Sequence, residues 1–172
     1  MNNNVKKIIL SILIIGVITV LDQHIKQIVV NNFSVGEGIT LINRLLSITY
    51  RQNTGIAFSL FNMSHSGVLI ALSCVIVVLL ALFLRPYFKY RWTFLFGSFI
   101  IGGALGNLID RAFRYDATLS KNFVVDYIEF NFFPTFNLAD IFITIGVIML
   151  AIYIIYQENR QQTDKDESKI TC

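Results

Sequence analysis

Charge is scarce in this chain. Only 15% of its 172 residues are Asp, Glu, Lys or Arg, whereas 55% are hydrophobic and 13% aromatic. The net charge of +3 is small and scattered, with no Lys/Arg-rich stripe, so no nucleic-acid partner is expected. Cysteine and histidine are rarer still, at two each. Cys74 sits in an apolar run and Cys172 ends a polar tail, which gives no basis for a structural disulfide. His24 and His65 stand far apart, and CxxC and HExxH patterns are missing, so no metal and no cofactor is expected. No GxSxG elbow exposes a serine nucleophile, and no DDxxD cluster suits a metal-dependent lipid transferase.

What the chain has instead is long apolar runs. A membrane-spanning helix needs about 20 mostly apolar residues. Four blocks qualify or come close, at about 5–30, 68–84, 92–113 and 137–156. Each must be helical, because hydrocarbon offers no partner for backbone N–H and C=O groups. Lys6 and Lys7 precede the first block as in a secretory leader, but no small-x-small cleavage pattern follows, so it reads as a retained helix. Basic residues flank the blocks unevenly: Lys6 and Lys7, then Arg85, Lys89 and Arg91 in one short link, then Arg160, Lys165 and Lys169. The positive-inside rule puts all of these, and both termini, in the cytoplasm. The expectation is an all-α integral membrane protein of four transmembrane helices with a small extracytoplasmic β-sheet. One embedded domain covers 1–156, outer segments cover 31–66 and 114–136, and the polar cytoplasmic tail at 157–172 reads as disordered.

The outer segments carry the polar residues of interest. Leu46, Ile48 and Tyr50 alternate with Ser47, Thr49 and Arg51, a half-buried strand pattern; Asn53-Thr54-Gly55 supplies a turn, and 56–61 reads as a second strand. Asp126 lies in VVDYI and Asp140 in FNLAD, both on the outer face in this topology. An ionisable side chain at a helix centre in a membrane costs roughly 2.5–3.5 kcal/mol even on mild scales, so it usually marks chemistry or transport. Asn137 and Asp140, three apart, share a helix face; they read either as a site or as an N-cap with an acidic residue favourable to the helix dipole. In GGALGNLIDR, Gly102 and Gly106 form a small-xxx-small packing face, and Gly103, Asn107 and Arg111 follow on a neighbouring stripe. Arg111 reads as a site donor, as a local partner of Asp110, or as a residue snorkelling towards headgroups. Asp22 and Lys26, four apart, read as a mutually neutralising structural pair.

Taken together, DQHIK (22–26), RQNTGIAFS (51–59), GGALGNLIDR (102–111), VVDYI (124–128) and FNLAD (136–140) resemble lipoprotein signal peptidase, the type II signal peptidase of bacteria. The resemblance implies an aspartic endopeptidase of the bacterial cytoplasmic membrane with its active site at the extracytoplasmic face. Such enzymes use no metal, cut a prolipoprotein before its diacylglyceryl-modified cysteine, and are inhibited by globomycin. It also implies that Asp126 and Asp140 are the catalytic pair and that Asn53, Gly103, Asn107, Arg111 and Asn137 support them, with Asp22 and Lys26 holding the fold or site. Ile141 departs from the serine usual in the family after the second aspartate. Two other functions use the same residues: a small transporter or proton relay, and a non-catalytic lipid-binding scaffold.

Overall fold

The computed structural model describes residues 3–55, 74–75, 78–79, 82 and 92–170. Three helices among these are long and apolar enough to span a membrane: α1 (Asn3–Asn32), α2 (Thr93–Phe113), and α3 (Leu138–Ile170), whose apolar part ends at Gln162. The expected span at 68–84 lies largely outside the described residues; positions 74–75, 78–79 and 82 are helical. The expected strand at 56–61 lies wholly outside them.

Helix α2 sits between α1 and α3 and packs against both, while α1 and α3 touch each other little. Its glycines explain how. A Cβ on Gly102 would stand 3.0 Å from the Ile18 Cβ, and one on Gly106 would stand 2.5 Å from the Asp22 Oδ2. On the neighbouring face, a Cβ on Gly103 would strike the Ala139 carbonyl, and one on Gly146 of α3 would come within 2.7 Å of the Ile100 Cγ1. Small residues therefore bring three backbones together where apolar side chains alone gain little from leaving lipid. Phe96, Ile100 and Leu150 fill the gap between α2 and α3. The outer faces stay apolar and open, with Ile12, Leu13, Val17, Ile148, Ile152 and Ile155 exposed as a lipid-facing surface.

The expected small sheet is present among the described residues, and its extent means that the all-α class is met only in part. A four-stranded antiparallel sheet, in the order β1-β2-β5-β6, caps one end of the bundle; its strands are β1 (Gly38–Ile42), β2 (Leu46–Asn53), β5 (Val124–Phe130) and β6 (Phe133–Phe136). A two-stranded ribbon, β3 (Tyr115–Asp116) with β4 (Lys121–Asn122), precedes β5. The expected alternation in 46–51 is realised as β2. The pairing of β5 and β6 was hidden because Val124, Val125, Asp126 and Tyr127 are all buried, so two-residue periodicity is absent where β5 begins. The sheet rests on the end of α1 through Val29, Tyr50, Phe123, Val125 and Tyr127. A second correction concerns the tail. Helix α3 runs on to Ile170, and no Gly or Pro after Gly146 stops it.

Candidate active site

The register of β2 against β5 sets Arg51 opposite Asp126 and Asn53 opposite Val124, after an irregularity between Ile48 and Arg51. Asp126 is 2% exposed. Its Oδ2 accepts from the Asn53 side-chain amide at 2.9 Å and its Oδ1 from the Asn137 side-chain amide at 2.6 Å. The Asn53 amide is oriented in turn, because its Oδ1 accepts the Gly55 N–H at 2.9 Å in a turn that holds Gly55 at φ +79°.

Asp140 opens α3. Its backbone N–H donates to Asn137 Oδ1 at 3.1 Å, while the Asn137 N–H donates to Asp140 Oδ2 at 3.2 Å, a reciprocal capping box. The capping alternative for these two residues is thus realised, and it coexists with a site. The same Asn137 holds Asp126 through its side chain, so one residue ties both carboxyls together. The other Asp140 oxygen, Oδ1, accepts from the Asn107 amide at 2.8 Å, and Asn107 Oδ1 accepts from Asn137 Nδ2 at 3.1 Å. The close contact of Gly103 with Ala139 is what lets Asn107, one turn further along α2, reach the first turn of α3.

The first N–H groups of a helix have no internal partners. In α3 those of Leu138, Ala139 and Asp140 are taken by three different elements: the Tyr127 hydroxyl at 3.2 Å, Asp22 Oδ1 at 3.0 Å and Asn137 Oδ1 at 3.1 Å. Asp22 therefore has a second role beside its ion pair with Lys26 at 2.8 Å. Lys26 also pairs with Asp110 at 3.0 Å, and Asp110 with Arg114 at 2.7 Å. Two acids and two bases balance, and Asp22, Lys26 and Asp110 have no exposed side-chain surface.

Asp110 is the residue that sequence reasoning missed. Its expected local partner, Arg111, forms no ion pair among the described residues, whereas Arg114 does. The i, i+4 spacing of Asp110 and Arg114 was the available signal. Asp110 also accepts the Val125 N–H at 3.0 Å, anchoring β5 directly before Asp126. Of the nine residues singled out in advance, Asp126, Asp140, Asn53, Asn107 and Asn137 join in one network. Asp22 and Lys26 border it, Gly103 shapes it, and Arg111 stays half-buried one turn beyond Asn107.

Burial pushes the Asp126 carboxyl from its ordinary 3.8 up to about 6; the Asp140 charge adds to this, while the amides of Asn53 and Asn137 and the charge of Lys26 oppose it. A groove of about 460 Å³ opens beside the pair, lined by Phe133, Pro134, Phe136, Ile141 and Ile145, with Asp140 in its wall. Among the described residues, no group of three or more His, Cys, Asp or Glu is arranged to hold a metal ion.

Two carboxyls bridged by one amide, with an apolar groove beside them at the end of a lipid-facing bundle, fit a membrane-embedded hydrolytic enzyme. The family described as Signal peptidase (SPase) II matches residues 14–156, and the chain belongs to that family of bacterial membrane proteases. It is 34% identical over 158 residues to the lipoprotein signal peptidase of Lactobacillus gasseri, covering 90% of this chain and 97% of that one. It is 38% identical over 151 residues to the lipoprotein signal peptidase of Lactococcus lactis, covering 87% and 95%. The fold is similar to that of a bacterial membrane enzyme solved by the in meso method, with TM-score 0.66, 30% identity and coverage of 84% and 91%.

Proposed function

We propose that Asp126 and Asp140 act as one proton-sharing pair that removes the signal peptide from diacylglyceryl-modified prolipoproteins, cutting before the lipidated cysteine. The observation that carries this reading is Asn137, whose side chain binds Asp126 while its backbone N–H binds Asp140. Two carboxyls at one buried site resist joint ionisation, which leaves one proton between them. The ionised member takes a proton from water as the water oxygen attacks the scissile carbonyl carbon. The protonated member gives its proton to the carbonyl oxygen. Collapse of the tetrahedral diol breaks the C–N bond: the leaving amine takes up a proton from the pair, one diol hydroxyl returns a proton to it, and the carboxylic acid and amine leave a pair that again holds one proton. The roles of base and acid belong to the pair and not to either residue.

Asn53, Asn107 and Asn137 hold the carboxyls, Gly103 allows the helices to approach, and Arg111 is assigned to substrate at the rim. The groove at Phe133, Phe136 and Ile141 is assigned to the apolar part of the substrate, where each buried CH₂ contributes roughly 0.8 kcal/mol. The enzyme sits in the bacterial cytoplasmic membrane with both termini inside and the site outside, a reading supported by the basic residues beyond the helices. Globomycin is the expected inhibitor. Cleavage of a lipid-modified prolipoprotein peptide, and of the same peptide without lipid, by wild type, Asp126→Asn and Asp140→Asn tests the reading. Only the wild type should cut, and only the lipidated form. Cleavage by either folded variant would remove that aspartate from the reaction, and equal cleavage of both peptides would remove the lipid requirement.

A further inference from the structure

Lys26 is fully buried and has three N–H donors and no acceptor. It forms ion pairs with Asp22 Oδ2 at 2.8 Å and Asp110 Oδ2 at 3.0 Å. One N–H reaches out of this ionic cluster to donate to Asn107 Oδ1 at 2.8 Å. That contact decides which way the Asn107 amide points. With its oxygen held by Lys26, and again by Asn137 Nδ2 at 3.1 Å, its NH₂ is left facing Asp140 Oδ1 at 2.8 Å. A flipped amide would set NH₂ against an ammonium and an oxygen against a carboxylate, so the network admits one arrangement.

We infer that Lys26 is a positioning residue of the peptidase reaction, its ammonium fixing the Asn107 amide against Asp140 and holding negative charge on the carboxyl pair. The inference rests on the proposed roles of Asp126 and Asp140. A purely structural ion cluster needs only Asp22 and Asp110; the hydrogen bond to Asn107 serves the site. The charged and titratable groups around Lys26 are Asp22 on α1, Asp110 and Arg114 on α2, Asp126 and Tyr127 on β5, and Asp140 on α3. The acids and bases of the cluster cancel, so loss of Lys26 exposes the carboxyl pair to uncompensated negative charge. Along the bonded path the ammonium lies within about 9 Å of either carboxyl, and a unit charge at that range in an effective dielectric of about 20 moves a carboxyl by about one pH unit.

The test compares Lys26→Met with Asp22→Asn/Lys26→Met, which removes one charge of each sign and leaves no new unpaired carboxylate. The Asp126 carboxyl is titrated by ¹³C NMR in detergent, its signal assigned by its loss in Asp126→Asn; this readout does not depend on catalysis. Cleavage of the lipidated peptide then gives kcat and KM. In Lys26→Met the expected result is a titration midpoint raised by about one unit and an acid limb of the rate profile displaced in the same sense. The double variant, which loses one charge of each sign, should keep a midpoint near the wild type. In both, kcat should fall by about 10²-fold with KM unchanged, as when a reacting group loses its orientation. An unchanged midpoint in folded Lys26→Met, or a wild-type kcat in the folded double variant, would reduce Lys26 to a structural ion pair. A wild type that titrates as expected but cuts no lipopeptide would overturn the peptidase assignment and leave the Lys26 coupling standing.

Discussion

Asn137 offers the sharpest test of the site, because one substitution separates its two duties. Asn137→Asp keeps the side-chain oxygen that accepts the Asp140 N–H at 3.1 Å, and it keeps the backbone N–H that binds Asp140 Oδ2. The helix cap therefore survives. What is lost is the NH₂ group 2.6 Å from Asp126 Oδ1, replaced by an oxygen that can share the contact only with a proton between them. A hydrogen bond to a charged group is worth about 1.5–3 kcal/mol, so kcat should fall by roughly 10- to 100-fold from this loss alone. The added negative charge raises the proton affinity of its neighbours, so the rate profile should also move to higher pH by a unit or more. Asn137→Ala gives the contrast. It deletes the cap, worth about 1 kcal/mol, and leaves an Asp126 oxygen unsatisfied, worth about 1–3 kcal/mol more. Both variants should lose stability, since the same NH₂ group also donates to Asn107 Oδ1 at 3.1 Å and to the Val125 carbonyl at 3.3 Å, but only Asn137→Ala should lose the helix cap as well. The assays are lipopeptide cleavage between pH 4 and 9 and thermal unfolding in detergent. An Asn137→Asp protein with the wild-type rate and profile would refute the bridge.

The pH dependence of stability should carry the sign of a raised carboxyl: Asp126 holds its proton more tightly folded than unfolded, so its contribution is lost as pH rises from 3.8 through about 6. Relative to Asp126→Asn, the wild type should lose about 3 kcal/mol across that window, measured as unfolding against pH; a flat difference would contradict the burial. Gly103→Ala places a methyl against the Ala139 carbonyl and 2.8 Å from the Ile143 Cγ1, so it should cost about 1–3 kcal/mol and, by lengthening the Asn107–Asp140 contact, more than tenfold in activity. Wild-type activity there would show that the helices part without disturbing the site. Ile141→Glu puts a charge into the apolar groove and should raise KM for the lipidated peptide at least tenfold; an unchanged KM would place the substrate elsewhere.

The parts legible from the sequence are those governed by one strong preference. Apolar runs gave α1, α2 and the membrane part of α3 to within about two residues at most ends, because nothing else satisfies a backbone in lipid. Gly102 and Gly106 against α1, with Gly103 against α3, follow directly from helical spacing. Helical spacing set Asn107 on the stripe of Gly103 and Asn137 on the face of Asp140, whereas Asn53 was found only through the resemblance. Strand β5 escaped because burial on both faces erases alternation, and β6 because four residues, one of them Pro134, carry too little pattern. Asp110 escaped for a different reason. Its partners Lys26 and Val125 are distant in sequence, and only the fold brings them to one carboxylate.

That arrangement also answers why the carboxyl pair is surrounded by amides. A cation in direct contact would hold Asp126 ionised and work against the proton that the pair must keep. Arg51 lies opposite Asp126 in the sheet, but its guanidinium is drawn to Glu129 at 3.0 Å. Lys26 is occupied by Asp22 and Asp110 and reaches the pair only through Asn107. Asn53, Asn107 and Asn137 donate hydrogen bonds with no formal charge, so they fix four carboxyl oxygens without forcing both groups to ionise. Burial then raises Asp126, and the amides of Asn53 and Asn137, with the Lys26 charge behind them, limit that rise. Asn53→Lys, at the exposed member of the three, should therefore hold Asp126 ionised and abolish cleavage of the lipidated peptide; cleavage at the wild-type rate would contradict this account.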